Sequence, residues 1–238
     1  MDTLGIMTPV RVLIVDDDAL VRTGLVMMLR EAPDIEVVAD AADGQEALSA
    51  LAHTDVDLVL MDIRMPHFDG LCATEMIRAA PRPPEVVVLT TFDADAHVHR
   101  ALRAGAAGFL LKDTPPEQIV DSIRRIADGE PVLSSSVLKA LIERTFTGET
   151  AARAAEARDW LAVLNERERD VADDVGSGMT NAEIADHLYI AVPTVKTHVS
   201  AALTKLGLSN RVQLALFVHE AKSTGAGVAA PRRGPGNS

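Results

Sequence analysis

Four short strand-like, largely apolar segments in the first half of the chain each end on a residue with chemistry. Residues 10–15 run into Asp16, Asp17 and Asp18, and residues 57–61 into Asp62. Residues 85–89 run into Thr90, and residues 107–111 into Lys112. Their consecutive apolar residues, rather than an apolar–polar alternation, suit strands covered on both faces, as in parallel sheets. Helical patterns separate them, which predicts βαβ units with right-handed crossovers. Parallel strands share one carboxyl edge, where ligands of open α/β sheets bind. Two acids, a hydroxyl and an ammonium are therefore expected to converge on one spot.

The full alternation adds a strand at 35–39 and helices at 19–30, 44–52, 70–80, 94–104 and 116–128. It predicts a five-stranded doubly wound parallel α/β sheet over residues 8–131. Residues 132–160 read as a helical or flexible linker, with a helix over 134–146. Residues 161–223 read as an all-α unit of four helices. Asn165 with Glu168, and Thr180 with Glu183, have the spacing of capping boxes. Pro193 suits the first turn of a third helix, and a fourth begins near Arg211. Residues 224–238, rich in Gly, Pro and Ala, are expected to be disordered.

The net charge is −12, which at first argues against a nucleic-acid partner. Its distribution removes the objection. Residues 1–131 hold 11 basic and 23 acidic side chains, and the remainder is balanced. The second half is thus free to present a basic face, and the asymmetry points to two units with separate jobs. No apolar run approaches a membrane span, and the N-terminus lacks a signal-peptide pattern. Met7 precedes the first strand, so residues 1–6 read as an upstream extension. Cys72 is the one cysteine, which excludes a disulfide framework, and it is expected to be a buried, inert thiol. A cytoplasmic location fits.

Asp16, Asp17 and Asp62 would repel one another unless a cation joined them, and Mg²⁺ is the simplest hard cation for oxygen ligands. A carboxylate beside such a cation can act as a nucleophile toward phosphorus. Lys112 offers charge and Thr90 a hydrogen bond to phosphoryl oxygens. Taken singly, an Asp after a strand is a common turn residue and Lys112 a surface lysine. The ordered set at four strand ends is what points to phosphoryl chemistry. A turnover phosphatase with an aspartyl-phosphate intermediate uses similar groups, although the short loops leave little room for a substrate cap.

The stretches VLIVDDDALVR, LVLMDIRMPHFDG, VVVLTTF and ALRAGAAGFLLKD resemble the receiver domain of bacterial two-component response regulators. The resemblance implies Asp62 as phosphoacceptor and a sensor histidine kinase as donor. It implies Mg²⁺ on Asp16, Asp17, Asp62 and the backbone carbonyl of Arg64. Thr90 and Phe109 are implied as the switch pair, with Lys112 on the phosphoryl group. Asp113 stands where many receivers have proline. The stretches LNERERDVADDVGSGMTNAEIADHL and VPTVKTHVSAALTKLGLSNRVQLALFVHE are similar to helix-turn-helix domains of the LuxR/NarL/FixJ type.

In the third helix, Val195, Val199, Ala202, Leu203 and Leu206 share one face and are expected to pack inward. Lys196, Thr197, Ser200 and Thr204 share the other and are expected to enter a major groove of promoter DNA. Lys196, Lys205 and Arg211 are candidates for phosphate contacts. Ala191 stands where the family usually has a capping Ser, and Ala201 supplies no charge. Affinity per monomer should be modest, and pairing on two half-sites would compensate. Val212, Leu216 and Val218 form an apolar stripe for a homodimer formed on activation. RNA polymerase is a further candidate partner, and the family implies no enzyme beyond phosphorylation and dephosphorylation of its own receiver.

Overall fold

The computed structural model describes residues 8–66, 68–90, 100–133 and 161–222. The predicted helix over 134–146, the linker, the tail and most of the predicted 94–104 helix lie outside them. Residues 100–103 are helical.

The first unit is built from β1 (Val10–Val15), α1 (Ala19–Leu29), β2 (Ile35–Ala41), α2 (Gly44–Leu51), β3 (Leu58–Asp62) and α3 (Gly70–Arg78). It continues through β4 (Glu85–Thr90), β5 (Gly108–Leu111), α4 (Pro116–Ala127) and the two-residue β6 (Val132–Leu133). All strand pairs are parallel, in the order β2-β1-β3-β4-β5-β6. The expected five-stranded doubly wound parallel sheet is present, and its order is 2-1-3-4-5. β6 adds a short sixth strand beyond β5, just past the predicted end of the unit.

Strand alternation explains the double winding. Val12, Ile14, Leu58, Leu60, Val87 and Leu89 face one layer, with Leu29 of α1 and Ile119, Ile123 and Ile126 of α4. Leu13, Val15, Val59, Met61 and Val86 face the other, with Ala47 of α2 and Ala73 and Ile77 of α3. Neighbouring residues of one strand point to opposite faces, so consecutive apolar residues feed both cores. Asp18, Asp43 and Asp69 cap α1, α2 and α3, accepting from the amides of Leu20, Glu46 and Leu71 at 2.8, 2.9 and 3.0 Å. Cys72 is exposed, contrary to expectation. The buried face of α3 is Leu71, Ala73, Thr74 and Ile77, and Cys72 falls outside it.

The second unit comprises α5 (Glu166–Gly176), α6 (Asn181–Leu188), α7 (Val192–Leu206) and α8 (Arg211–Lys222). Both predicted capping boxes are formed, at Asn165/Glu168 and Thr180/Glu183. Ala191 gives α7 no side-chain cap. Val195, Val199, Ala202 and Leu206 join Val171, Val175, Ile184, Leu214 and Val218 in one core, with Leu203 partly buried against it. At Gly176 a Cβ would come within 2.5 Å of Val218, so glycine there lets α5 and α8 approach.

The expected dimer stripe is divided. Val218 lies in the helical core. Val212 is buried with Ile63, Leu71, Val88, Ala101, Leu102, Ala106 and Phe109 of the first unit, and Leu216 packs on the same cluster. The face of α8 that reads as free in sequence is apolar because it meets the neighbouring unit.

Candidate functional site: the acidic strand-end pocket and the helix-turn-helix face

Register gathers the pocket. Val15 lies beside Met61, Asp62 beside Leu89, and Thr90 beside Leu111. The residues closing these strands, Asp16, Asp62, Thr90 and Lys112, therefore meet at one edge. Asp16, Asp62 and Thr90 are buried, at 1%, 5% and 4% exposure. One carboxylate oxygen from each of Asp16, Asp17 and Asp62 lies within 4.8 Å of the others. The Lys112 ammonium donates to Asp62 Oδ2 at 2.8 Å and lies 2.5 Å from Asp16 Oδ2. The backbone amide of Arg64 donates to Asp62 Oδ1 at 3.3 Å. The Lys112 amide donates to the Thr90 carbonyl at 2.7 Å, which ties β5 to β4 at the pocket.

Burial pushes the Asp62 carboxyl pKa up, and the hydrogen bond from Lys112 only partly offsets it. Burial works against the charge of Lys112 too, but its pairing with Asp16 and Asp62 outweighs it, so its pKa is raised. The acid is strained by desolvation while the ammonium is held charged. Asp16 Oδ1 accepts from the Asp18 amide at 3.0 Å, whereas Asp16 Oδ2 has no hydrogen bond of good geometry. A buried carboxylate oxygen left this way, beside two further carboxylates, is a donor set that fits a hard divalent cation.

Gly70 is a site residue that sequence reasoning passed over. A Cβ there would lie 1.9 Å from the Asp62 carbonyl, so only glycine lets α3 start against the strand that carries Asp62. The Asp69-Gly70 pair, a turn signal before a helical pattern, was the available clue. Phe109 is 1% exposed, inside the cluster that also buries Val212.

The face of α7 is differently furnished. Thr197, Ser200, Thr204 and Lys205 are exposed, and Lys196 is partly buried. Each cation expected to meet phosphate already has a protein acceptor. Lys196 pairs with Asp128 of the first unit at 3.0 Å, and Lys205 with Glu168 at 2.7 Å. Arg211 is buried and donates to the Asn181 side chain and the Met179 carbonyl. This placement departs from the expected phosphate contact, because the guanidinium ties α8 to the start of α6.

The two units are joined by further polar contacts. Asn181 donates to the Asp128 carbonyl at 2.7 Å, Asn210 to the Ala106 carbonyl at 2.8 Å, and Gln213 to the Leu102 carbonyl at 2.6 Å. Arg78 reaches the Ser209 carbonyl while pairing with Glu85 at 3.1 Å.

Comparison with known proteins settles the family. Residues 12–124 match the response regulator receiver domain, and residues 162–218 match the luxR family of bacterial regulatory proteins. This chain is a two-component response regulator. The transcriptional regulatory protein LiaR of Bacillus subtilis is 37% identical over 88% of the regulator and 97% of its own length. The nitrate/nitrite response regulator protein NarP of Escherichia coli is 38% identical over 86% and 92%. A crystal structure of a LuxR-family response regulator from Aurantimonas sp. SI85-9A1 matches with TM-score 0.54 and 31% identity, over 58% of the regulator and 98% of that chain. A structure of two RcsB dimers bound to two parallel DNAs matches with TM-score 0.53 over 90% and 99%, and at 21% identity this likeness is of fold alone.

The regulator is accordingly a transcription factor that binds DNA through its LuxR-type helix-turn-helix, and its family is not one of catalytic enzymes. Among the described residues, no helix is long and apolar enough to cross a membrane.

Proposed function

We propose that Asp62 is the phosphoacceptor, phosphorylated by a cognate sensor histidine kinase in the cytoplasm. The observation that carries this is the strand-end convergence of three carboxylates and Lys112. Asp16, Asp17, Asp62 and the Arg64 carbonyl would hold Mg²⁺, which when bound supplies charge neutralisation for the phosphoryl oxygens. In transfer, an Asp62 oxygen forms the new P–O bond as the bond to the donor breaks, and the donor leaves with its electron pair. Lys112 turns its ammonium from the carboxylates to the phosphoryl oxygens, and the Thr90 hydroxyl donates to one of them. The desolvated carboxylate is better placed to attack than a hydrated one would be.

The route to DNA runs through Phe109. It shares one packed cluster with Val212 of α8, so movement of the Thr90–Phe109 pair on phosphorylation changes the seat on which α8 rests. Release of that seat frees the Val212 and Leu216 face for a homodimer and removes Asp128 from Lys196. Lys196, Thr197, Ser200 and Thr204 then face the major groove of promoter DNA, with Lys205 at the phosphates and RNA polymerase as a further partner. Arg211 holds α6 to α8 instead of meeting phosphate. In this reading residues 8–131 receive the signal, 132–160 link, 161–223 act on DNA and 224–238 form a tail.

Incubation with radiolabelled acetyl phosphate and Mg²⁺ tests the assignment. Wild type should label and Asp62→Asn should not. Equal labelling of the variant would place the phosphoacceptor elsewhere.

A further inference from the structure

The turn between α6 and α7 carries a large side chain that is not packed against any of the described residues' cores. Tyr189 closes α6 in the left-handed conformation, at φ 54°, the one non-glycine residue with positive φ among the described residues. Its amide and that of Ile190 both donate to the Ala185 carbonyl. This is a Schellman-type helix end, where glycine is the ordinary occupant because a Cβ is disfavoured in that conformation. The Tyr189 side chain is nevertheless 95% exposed. It gains no burial, and its hydroxyl makes no hydrogen bond with the described residues. A large side chain on a disfavoured backbone, with nothing gained among the described residues, points to a role outside them.

Its position selects the partner. Only Ile190 and Ala191 separate Tyr189 from Val192, the first residue of α7. When α7 lies in a major groove, the turn at its start stands against the groove wall, which is sugar and phosphate. A phenolic O–H is a donor suited to a phosphate oxygen. We infer that Tyr189 is a DNA-backbone contact whose hydroxyl donates to a phosphate at the rim of the groove that α7 enters. The inference rests on the placement of α7 in DNA.

The test uses the full-length regulator, phosphorylated with acetyl phosphate and Mg²⁺, and a duplex that the wild type has enriched from a random-sequence pool. Tyr189→Gly and Tyr189→Phe are compared by affinity at several salt concentrations and by calorimetric melting. Tyr189→Gly should raise the melting temperature of the helical unit by about 4 °C. Both variants should bind roughly tenfold more weakly, as loss of a hydrogen bond to a charged acceptor predicts. The dependence of affinity on salt should not change, because an uncharged donor displaces no counterion. Lys196→Ala, in contrast, should lower that slope by about one.

Unchanged affinity in Tyr189→Phe would overturn the contact. So would a Tyr189→Gly protein that melts lower than wild type, since the side chain would then serve the fold. A variant that binds DNA normally but fails to drive transcription would overturn it in favour of a protein partner. A wild type that enriches no duplex would remove the placement of α7 and this contact together, a result distinct from the loss of either variant alone.

Discussion

The strand-end pocket and the face of α7 are both charged, and they hold their charges in opposite ways. In the pocket, Asp16, Asp62 and Thr90 sit on buried strand ends fixed by sheet register. Desolvation keeps the Asp62 carboxylate uncomfortable, and Asp16 keeps an oxygen without a good hydrogen bond. On α7 the side chains are mostly exposed, yet the cations are quieted by protein acceptors. Lys205 rests on Glu168, and Lys196 rests on Asp128 of the receiver. In the proposed function the pocket is the part that reacts, and DNA reading is conditional on where the other unit lies.

The largest effect should come from removing the cation that both buried acids share. Lys112→Met, without Mg²⁺, should destabilise the receiver by about 3 kcal/mol in urea unfolding, because it strands charges that have lost their partner. Stability equal to wild type would mean the pocket is wetter than its burial indicates.

Val212→Glu comes next. It puts a charge into the cluster around Phe109 and should separate the units. The unphosphorylated variant should bind DNA roughly tenfold more tightly than unphosphorylated wild type. Equal affinity would show that the seat of α8 does not govern access to DNA.

Asp62→Asn addresses the pocket again, with a smaller and pH-dependent effect. The folded pKa of Asp62 is raised by burial above its unfolded value, so its contribution to stability is present at low pH and is lost as pH rises through the folded value. At pH 7 the amide should therefore be more stable by about 1 kcal/mol. The gain should vanish in acid, below the unfolded carboxylate range. A gain that persists there would assign it to packing.

Asp128→Ala should do least. Its pair with Lys196 is open to solvent at Asp128 and half-exposed at the lysine, and pairs of this kind contribute about 0–1 kcal/mol. DNA binding of the unphosphorylated regulator should improve by no more than about threefold.

What was legible in the sequence follows from range. Strand ends were readable because side-chain alternation and parallel pairing tie local runs to one edge, so Asp16, Asp62, Thr90 and Lys112 could be placed together. The inward face of α7 was readable from helical spacing. The partners of its cations were not, because Asp128, Glu168 and Asn181 lie 68, 37 and 30 residues from Lys196, Lys205 and Arg211. Nor could periodicity tell that Val212 and Leu216 meet the receiver, since an apolar stripe does not name what covers it. Cys72 was misplaced for a smaller reason. It sits beside Leu71 and Ala73, yet one step along a helix is enough to turn a side chain off the buried face.

The link between pocket and DNA is tested most directly by one titration. DNA affinity of the full-length chain is measured with and without acetyl phosphate and Mg²⁺, for wild type and Asp62→Asn. Phosphorylation should tighten binding of the wild type and leave the variant at its basal level. Equal tightening of both, or of neither, would contradict a pocket that controls the helix-turn-helix.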